Sequence, residues 1–140
     1  MKRIVITGGS GKLGHASIKE LLEHGYDVWN LDIAPPKEEL CRYTRINFMD
    51  FGQVLEAFTE IDGGYQGVDA VVHLAAIPGP SHAANAHTFH NNSTSNFNVF
   101  WAAWMVGIKN VVWASSETLQ GVKFGCIKYR QIHKNIVFYY

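Results

Sequence analysis

The feature that most constrains the chain is its opening, KRIVITGGSGKLGHA (residues 2–16), where a β-branched run gives way to regularly spaced glycines. Arg3 to Thr7 reads as a short buried strand, and Gly9-Ser10-Gly11-Lys12-Leu13-Gly14 satisfies G-x-G-x-x-G directly after it. Leu13, Ile18, Leu21 and Leu22 then recur at helical spacing as far as Gly25, a natural C-cap. A glycine turn between strand and helix leaves backbone N–H groups free at the positive end of the helix, where a pyrophosphate can rest. A Cβ would obstruct the turn, the phosphate approach or the helix–strand contact.

The remainder keeps the same alternation. Asp27 to Leu31 (DVWNL) is a second strand ending at Asp32, and Pro35-Pro36 mark a loop. Tyr43 to Phe48 has strand character, and Val54, Leu55 and Phe58 place a short helix after Asp50. Asp69 to Leu74 (DAVVHL) is a fourth strand, a long helix covers about Ala84 to Met105, and Asn110 to Ala114 (NVVWA) is a fifth strand running into Ser115 and Ser116. Alternating strands and helices imply right-handed β-α-β crossovers and an α/β fold, a doubly wound parallel sheet with helices on both faces. Asp32 follows the glycines by the interval at which a carboxylate holds a ribose hydroxyl. Such a carboxylate repels a 2′-phosphate, which favours NAD over NADP; Lys12 and Arg3 are the cations that would serve the latter.

A chain of 140 residues is one domain's worth, and 47% hydrophobic with 17% charged residues reads as soluble and globular. Twelve basic and twelve acidic side chains cancel, which argues against nucleic-acid or anionic-membrane partners. Cys41 and Cys126 form no paired motif and fit a reduced compartment. With no signal segment and no apolar stretch near membrane-spanning length, the expected location is cytoplasmic. Charge is uneven, however: residues 1–121 hold eight of the twelve Lys/Arg and every acid, while 122–140 hold Lys123, Lys128, Arg130 and Lys134. The expected division is therefore a dinucleotide-binding domain over 1–121 and an atypical basic, aromatic tail over 122–140.

Four ordered motifs resemble the NAD-dependent epimerase/dehydratase family of extended short-chain dehydrogenases. Thr7-Gly8-Gly9-Ser10-Gly11-Lys12-Leu13-Gly14 is similar to its TGGxGxxG, and His73-Leu74-Ala75-Ala76 to its HLAA. Asn91-Asn92-Ser93-Thr94-Ser95-Asn96 resembles its NNxxGTxN segment, and Val111-Val112-Trp113-Ala114-Ser115-Ser116 its VVFASS. The resemblance implies a Rossmann-type sheet, here truncated after about five strands, with NAD as cofactor and a sugar, sugar acid or nucleotide sugar as substrate. It implies that Gly8, Gly11, Lys12, Leu13 and Gly14 line the pyrophosphate and that Asp32 holds the adenosine ribose. Asn47 and Phe48 would meet adenine, Asn47 replacing the family's Asp. Leu74, Ala75 and Ala76 would pass behind the cofactor, Asn92 would reach toward its nicotinamide half, and Ser116 would be the catalytic hydroxyl.

Two departures stand out. The tyrosine of the family's SSxxVYG is absent from Ser115-Ser116-Glu117-Thr118-Leu119-Gln120-Gly121, so sugar and sugar-acid dehydrogenases stay as open as nucleotide-sugar enzymes. The Tyr-x-x-x-Lys pair that exchanges a proton while hydride moves is also missing: Tyr129 meets His133 at the fourth place and Lys134 falls one later. The expectation is the cofactor half of a hydride-transfer enzyme, cut short or given a foreign tail near Gly121, and without turnover of its own. The alternative is a non-catalytic dinucleotide-binding or redox-sensing module.

Other signals are weaker. His87-x-x-His90, with His82, lacks a carboxylate or cysteine partner and reads as a solvated loop rather than a metal site. His73 reads as a packed, hydrogen-bonded histidine. Phe97, Phe100, Trp101 and Trp104 form a stripe that suits either core packing or a homodimer surface.

Overall fold

The first strand, β1 (Arg3–Thr7), is apolar on both faces, and the fold uses both. The computed structural model describes residues 2–59, 67–79 and 82–115. Ile4 and Ile6 pack with Val28 and with Ile18 of α1 (Lys12–Glu23) on one side of the sheet. Val5 joins Trp29, Leu31 and Val71 on the other, under Val54, Ala57 and Phe58 of α2 (Phe51–Thr59) and Val99, Ala102 and Ala103 of α3 (Asn85–Met105). Two-sided burial is what an unbroken apolar strand requires, and it is the mark of a parallel sheet covered by helices.

The remaining strands are β2 (Asp27–Asp32), β3 (Arg42–Arg45), β4 (Ala70–His73) and β5 (Asn110–Trp113). They form one sheet in the order β3-β2-β1-β4-β5, every neighbouring pair parallel, with Thr7 of β1 opposite Leu31 of β2 and His73 of β4. The chain leaving β1 crosses through α1 to β2 on one side, and the chain leaving β4 crosses through α3 to β5 on the other. The direction of winding therefore reverses between β1 and β4, and a crevice opens at their carboxyl ends. The glycine loop follows β1 at that point, and Leu74 to Ala76 follow β4.

Helix α1 stops as its sequence indicates. Gly25 has φ +76°, its N–H donates to Leu22 O at 3.0 Å, and that of Tyr26 donates to Leu21 O at 3.1 Å, a Schellman ending. The third strand is shorter than the sequence suggested. Asn47 Oδ1 accepts from Met49 N–H at 3.1 Å, and this side-chain turn bends the chain before Phe48 can extend the ladder. Phe48 enters the core instead, and its carbonyl receives the Asn98 amide at 2.8 Å, which ties α3 to the start of α2.

The aromatic stripe of α3 divides. Phe100 packs edge-on against His73 and Trp113, whereas Phe97, Trp101 and Trp104 stack along the exposed face, Trp104 being 70% exposed. Among the described residues no helix is long and apolar enough to cross a membrane. Ser116, the Tyr129–Lys134 region and the whole of 122–140 lie outside the described residues.

Candidate functional site

The glycine loop is held by backbone contacts that exclude any side chain. Gly8 has φ +73°, and a Cβ there would stand 2.7 Å from Ala75 N and 2.8 Å from Ala75 Cα. A Cβ on Gly14 would run into the Gly8 carbonyl and approach Gly9 Cα to 2.5 Å. Strand end, helix start and the chain leaving β4 thus meet through main-chain atoms alone. Gly8 N–H donates to Leu31 O at 2.8 Å and Gly11 N–H to Gly8 O at 3.1 Å, which fixes the turn.

Gly11 is the N-cap of α1, with extended backbone and no side-chain hydrogen bond to the first turn. The first-turn N–H groups are left without a capping oxygen at the positive end of a 12-residue helix. Lys12 and Leu13 lie exposed at this mouth, Leu13 at 61%. An uncapped helix start behind a cradle that a Cβ would fill fits the pyrophosphate of a dinucleotide in shape and in charge.

Asp32 stands beside the loop, as its position in the sequence implied. One carboxylate oxygen accepts from Ser10 N–H at 3.0 Å and the other from Ala34 N–H at 3.1 Å. Ser10 Oγ donates to Ala34 O at 2.8 Å and receives Asn30 Nδ2 at 3.2 Å. The glycine loop and the loop after β2 are therefore stitched together around Asp32. Arg3 corrects one expectation: it cannot serve a 2′-phosphate here. Its guanidinium pairs with Asp27 at 2.7 Å and its N–H with Asp69 at 2.7 Å, at the strand starts, the opposite edge of the sheet from the glycines.

Asn47 is exposed, with one amide oxygen committed to Met49; the Phe48 side chain is buried beside His73, leaving only its backbone for a ligand. Behind the crevice, Thr7 Oγ1 receives Leu74 N–H at 3.1 Å and Ala75 N–H at 3.2 Å and lies 2.6 Å from His73 Nδ1. His73 Nε2 is 2.8 Å from Asn96 Oδ1. Burial holds this imidazole below its ordinary pKa, partly offset by the bond to Asn96. The packed histidine expected from sequence is what the fold contains.

Ala76 is exposed at the end of this segment. Asn92 uses both ends of its amide on one residue, accepting from Ile77 N–H at 2.9 Å and donating to Ile77 O at 3.0 Å, so it clamps the loop after β4. Gly8, Gly11, Lys12, Leu13, Gly14, Asp32, Leu74, Ala75 and Ala76 belong to the carboxyl-end segments of β1, β2 and β4 or to the start of α1, and Asn92, two turns into α3, reaches the segment after β4. Ser116 lies outside the described residues.

Three contributors were missed in the sequence: the Thr7 hydroxyl, Ser10 and Asn30. Asn30 had a signal, since an amide within the buried run DVWNLD must find partners. Among the described residues no group of three or more His, Cys, Asp or Glu is placed to hold a metal, the His82, His87 and His90 cluster included.

Comparison with known proteins agrees with this geometry. The model of the NAD dependent epimerase/dehydratase family matches residues 4–130. UDP-glucose 4-epimerase of Bacillus subtilis (strain 168) is 32% identical over 133 residues, covering 85% of this chain and 38% of that protein, so the chain spans well under half of its relative's length. A solved UDP-galactose 4-epimerase is 31% identical with a TM-score of 0.69, over 89% of this chain and 41% of its own. A short-chain dehydrogenase/reductase superfamily protein from Agrobacterium tumefaciens, solved with bound NAD, is 26% identical with a TM-score of 0.69, over 81% and 32% of the two chains. The parallel sheet, the glycine loop at its switch point and the family match together make this chain a member of the NAD dependent epimerase/dehydratase family, whose cofactor is NAD.

Proposed function

We propose that the chain is the NAD-binding part of an enzyme that oxidises, epimerises or dehydrates a sugar, sugar acid or nucleotide sugar by hydride transfer. The observation that carries this reading is the uncapped start of α1 lying between Asp32 and the Ala75 backbone. Gly8, Gly11, Lys12, Leu13 and Gly14 receive the pyrophosphate, and Asp32 exchanges its hold on Ser10 or Ala34 for the adenosine ribose. Asn47 and the Phe48 backbone edge the adenine. Leu74, Ala75 and Ala76 form the rear wall, and Asn92 holds the wall's far end toward the nicotinamide. When bound, NAD supplies the hydride acceptor. Ser116 would offer a hydroxyl to the substrate oxygen.

The rest of the reading follows from the same residues. Residues 1–121 form the dinucleotide-binding unit, with 122–140 as a separate tail. Phe97, Trp101 and Trp104 give the protein a surface for pairing with a second copy. Neutral net charge leaves nucleic acid without an electrostatic foothold, and the protein works in the cytoplasm. Titration of the chain with NAD⁺, NADH and NADP⁺, followed by calorimetry, tests the first claim. Saturable binding of NAD(H), weakened by Asp32→Ala, is expected; a folded chain that binds none of them would overturn it.

A further inference from the structure

The hydroxyl of Thr7 has one proton and two lone pairs, and it faces three partners. Ala75 N–H, at 3.2 Å, and Leu74 N–H, at 3.1 Å and shared with the Thr7 carbonyl oxygen at the same distance, can only donate. The Thr7 proton must then point at the remaining partner, His73 Nδ1, at 2.6 Å. Nδ1 is thereby an acceptor, and the neutral ring carries its proton on Nε2, which donates to Asn96 Oδ1 at 2.8 Å. Donation therefore runs in one direction, from the backbone of Leu74 and Ala75 through Thr7 and His73 to the Asn96 amide oxygen. All of it is shut away from water at the inner end, with Thr7 fully buried and His73 only 3% exposed.

The backbone at the end of this relay is the same one that Gly8 approaches so closely. Ala75 N would be 2.7 Å from a Cβ on Gly8, so a small displacement of Ala75 changes the fit of the glycine turn itself. We infer that Asn96 is a positioning residue of the dinucleotide cradle: by fixing which nitrogen of His73 bears the proton, it sets the Thr7 hydroxyl and so holds the rear wall against the glycine loop. This rests on the reading of the crevice as an NAD site. The role belongs to Asn96 in particular, which stands where the resembled NNxxGTxN segment has threonine. A threonine hydroxyl can donate or accept, and so would not of itself hold the ring's proton on Nε2; an amide oxygen only accepts.

Two variants of Asn96 separate this role from plain packing. Asn96→Asp stabilises the doubly protonated ring, so that Nδ1–H, Leu74 N–H and Ala75 N–H all aim at one hydroxyl oxygen with two lone pairs. Asn96→Leu removes the acceptor without adding charge. Each is compared with Val54→Ala, a core truncation on α2 away from the relay, and with the pair Thr7→Val and Thr7→Ser. Ring ¹⁵N shifts of His73 report the tautomer, calorimetric titration reports NAD⁺ binding, and thermal unfolding reports folding.

We expect wild-type His73 to be protonated on Nε2 alone at pH 7.5, and both nitrogens to carry protons in Asn96→Asp. NAD⁺ binding should weaken about fivefold, the order of one lost hydrogen bond, in both Asn96 variants and in Thr7→Val. Thr7→Ser and Val54→Ala should keep wild-type affinity, although Val54→Ala loses stability. A wild-type ring protonated on Nδ1, or Asn96 variants that bind NAD⁺ as tightly as wild type, would overturn the relay. If the folded wild type shows the Nε2–H ring but binds no NAD⁺, the cradle reading fails and takes the positioning role with it, while the hydrogen-bond order stands.

Discussion

The amide N–H of Ser10 lies 3.0 Å from a carboxylate oxygen of Asp32, so the glycine loop and the end of β2 are joined directly. Asp32→Ala removes an acceptor used by both Ser10 and Ala34. Bonds of this charge-assisted kind are worth about 1.5–3 kcal/mol each. NAD⁺ affinity is expected to fall at least about tenfold, and preference over NADP⁺ to narrow, because the 2′-phosphate no longer meets a carboxylate. Calorimetric titration with both dinucleotides checks this, and equal loss for both would refute the discrimination.

Gly9 and Asn30 should behave as a coupled pair. A Cβ on Gly9 would strike the Asn30 amide oxygen and lie 2.6 Å from its carbon, and that oxygen is buried with no hydrogen-bond partner. Gly9→Ala is expected to cost about 1–3 kcal/mol through overpacking. Adding Asn30→Ala clears the obstacle, so the double variant should be more stable than additivity predicts by at least about 0.5 kcal/mol. Gly8→Ala has no such suppressor, since its Cβ would meet the backbone of Ala75 from a positive φ. Urea unfolding of the single and double variants decides it.

His73 gives the fold an acid limb. Burial lowers its pKa from the ordinary 6.5, and the groups packed on the ring, Thr7, Asn96, Phe48 and Phe100, carry no charge. The unfolded chain takes up the proton near pH 6.5 and the folded chain only at lower pH, so between the two the unfolded state holds more protons. This contribution to stability is complete above that window and is lost as pH falls through it, at most about 1.4 kcal/mol per pH unit. Urea midpoints at pH 7.5 and 5.5 should differ for wild type, and the difference should shrink in His73→Gln. An undiminished difference would place the acid sensitivity elsewhere.

The exposed stack on α3 predicts self-association. Trp101 and Trp104 lie 4.9 Å apart between ring centres and Phe97 lies 6.0 Å from Trp101, with Trp104 and Phe97 both largely exposed. Replacing Trp101 and Trp104 together by lysine should shift the sedimentation coefficient from dimer to monomer and leave NAD⁺ affinity unchanged. A wild type that sediments as a monomer at all concentrations would end this reading.

What the sequence made legible was what short-range pattern decides. The run RIVIT, the glycine spacing and Asp32 are each local signals, and the fold places them together because strand, turn and helix follow one another without long loops. The third strand was overextended because one side-chain bond from Asn47 redirects the chain, a competition that periodicity does not display. The Thr7–His73–Asn96 contacts span 66 and 23 residues, and Arg3 meets Asp69 across the same 66; the register of β1 with β4 and the packing of α3 on the sheet bring such groups together. Long-range polar pairing was the part that residue identities alone left open.

The placement of Arg3 has a consequence for how the sheet yields. At the strand starts β1 is held to its surroundings by two carboxylates, Asp27 paired with the Arg3 guanidinium and Asp69 accepting from the Arg3 backbone N–H. At the strand finishes it is held by uncharged groups, the Thr7 hydroxyl and the backbone amides of Leu74 and Ala75. Dissolved salt screens the first kind of bond and barely touches the second. Raising ionic strength should therefore quicken amide exchange at the starts of β1, β2 and β4 before it does so at their ends. The sheet would fray from the edge remote from the glycines, and the dinucleotide crevice would be the last part of it to open.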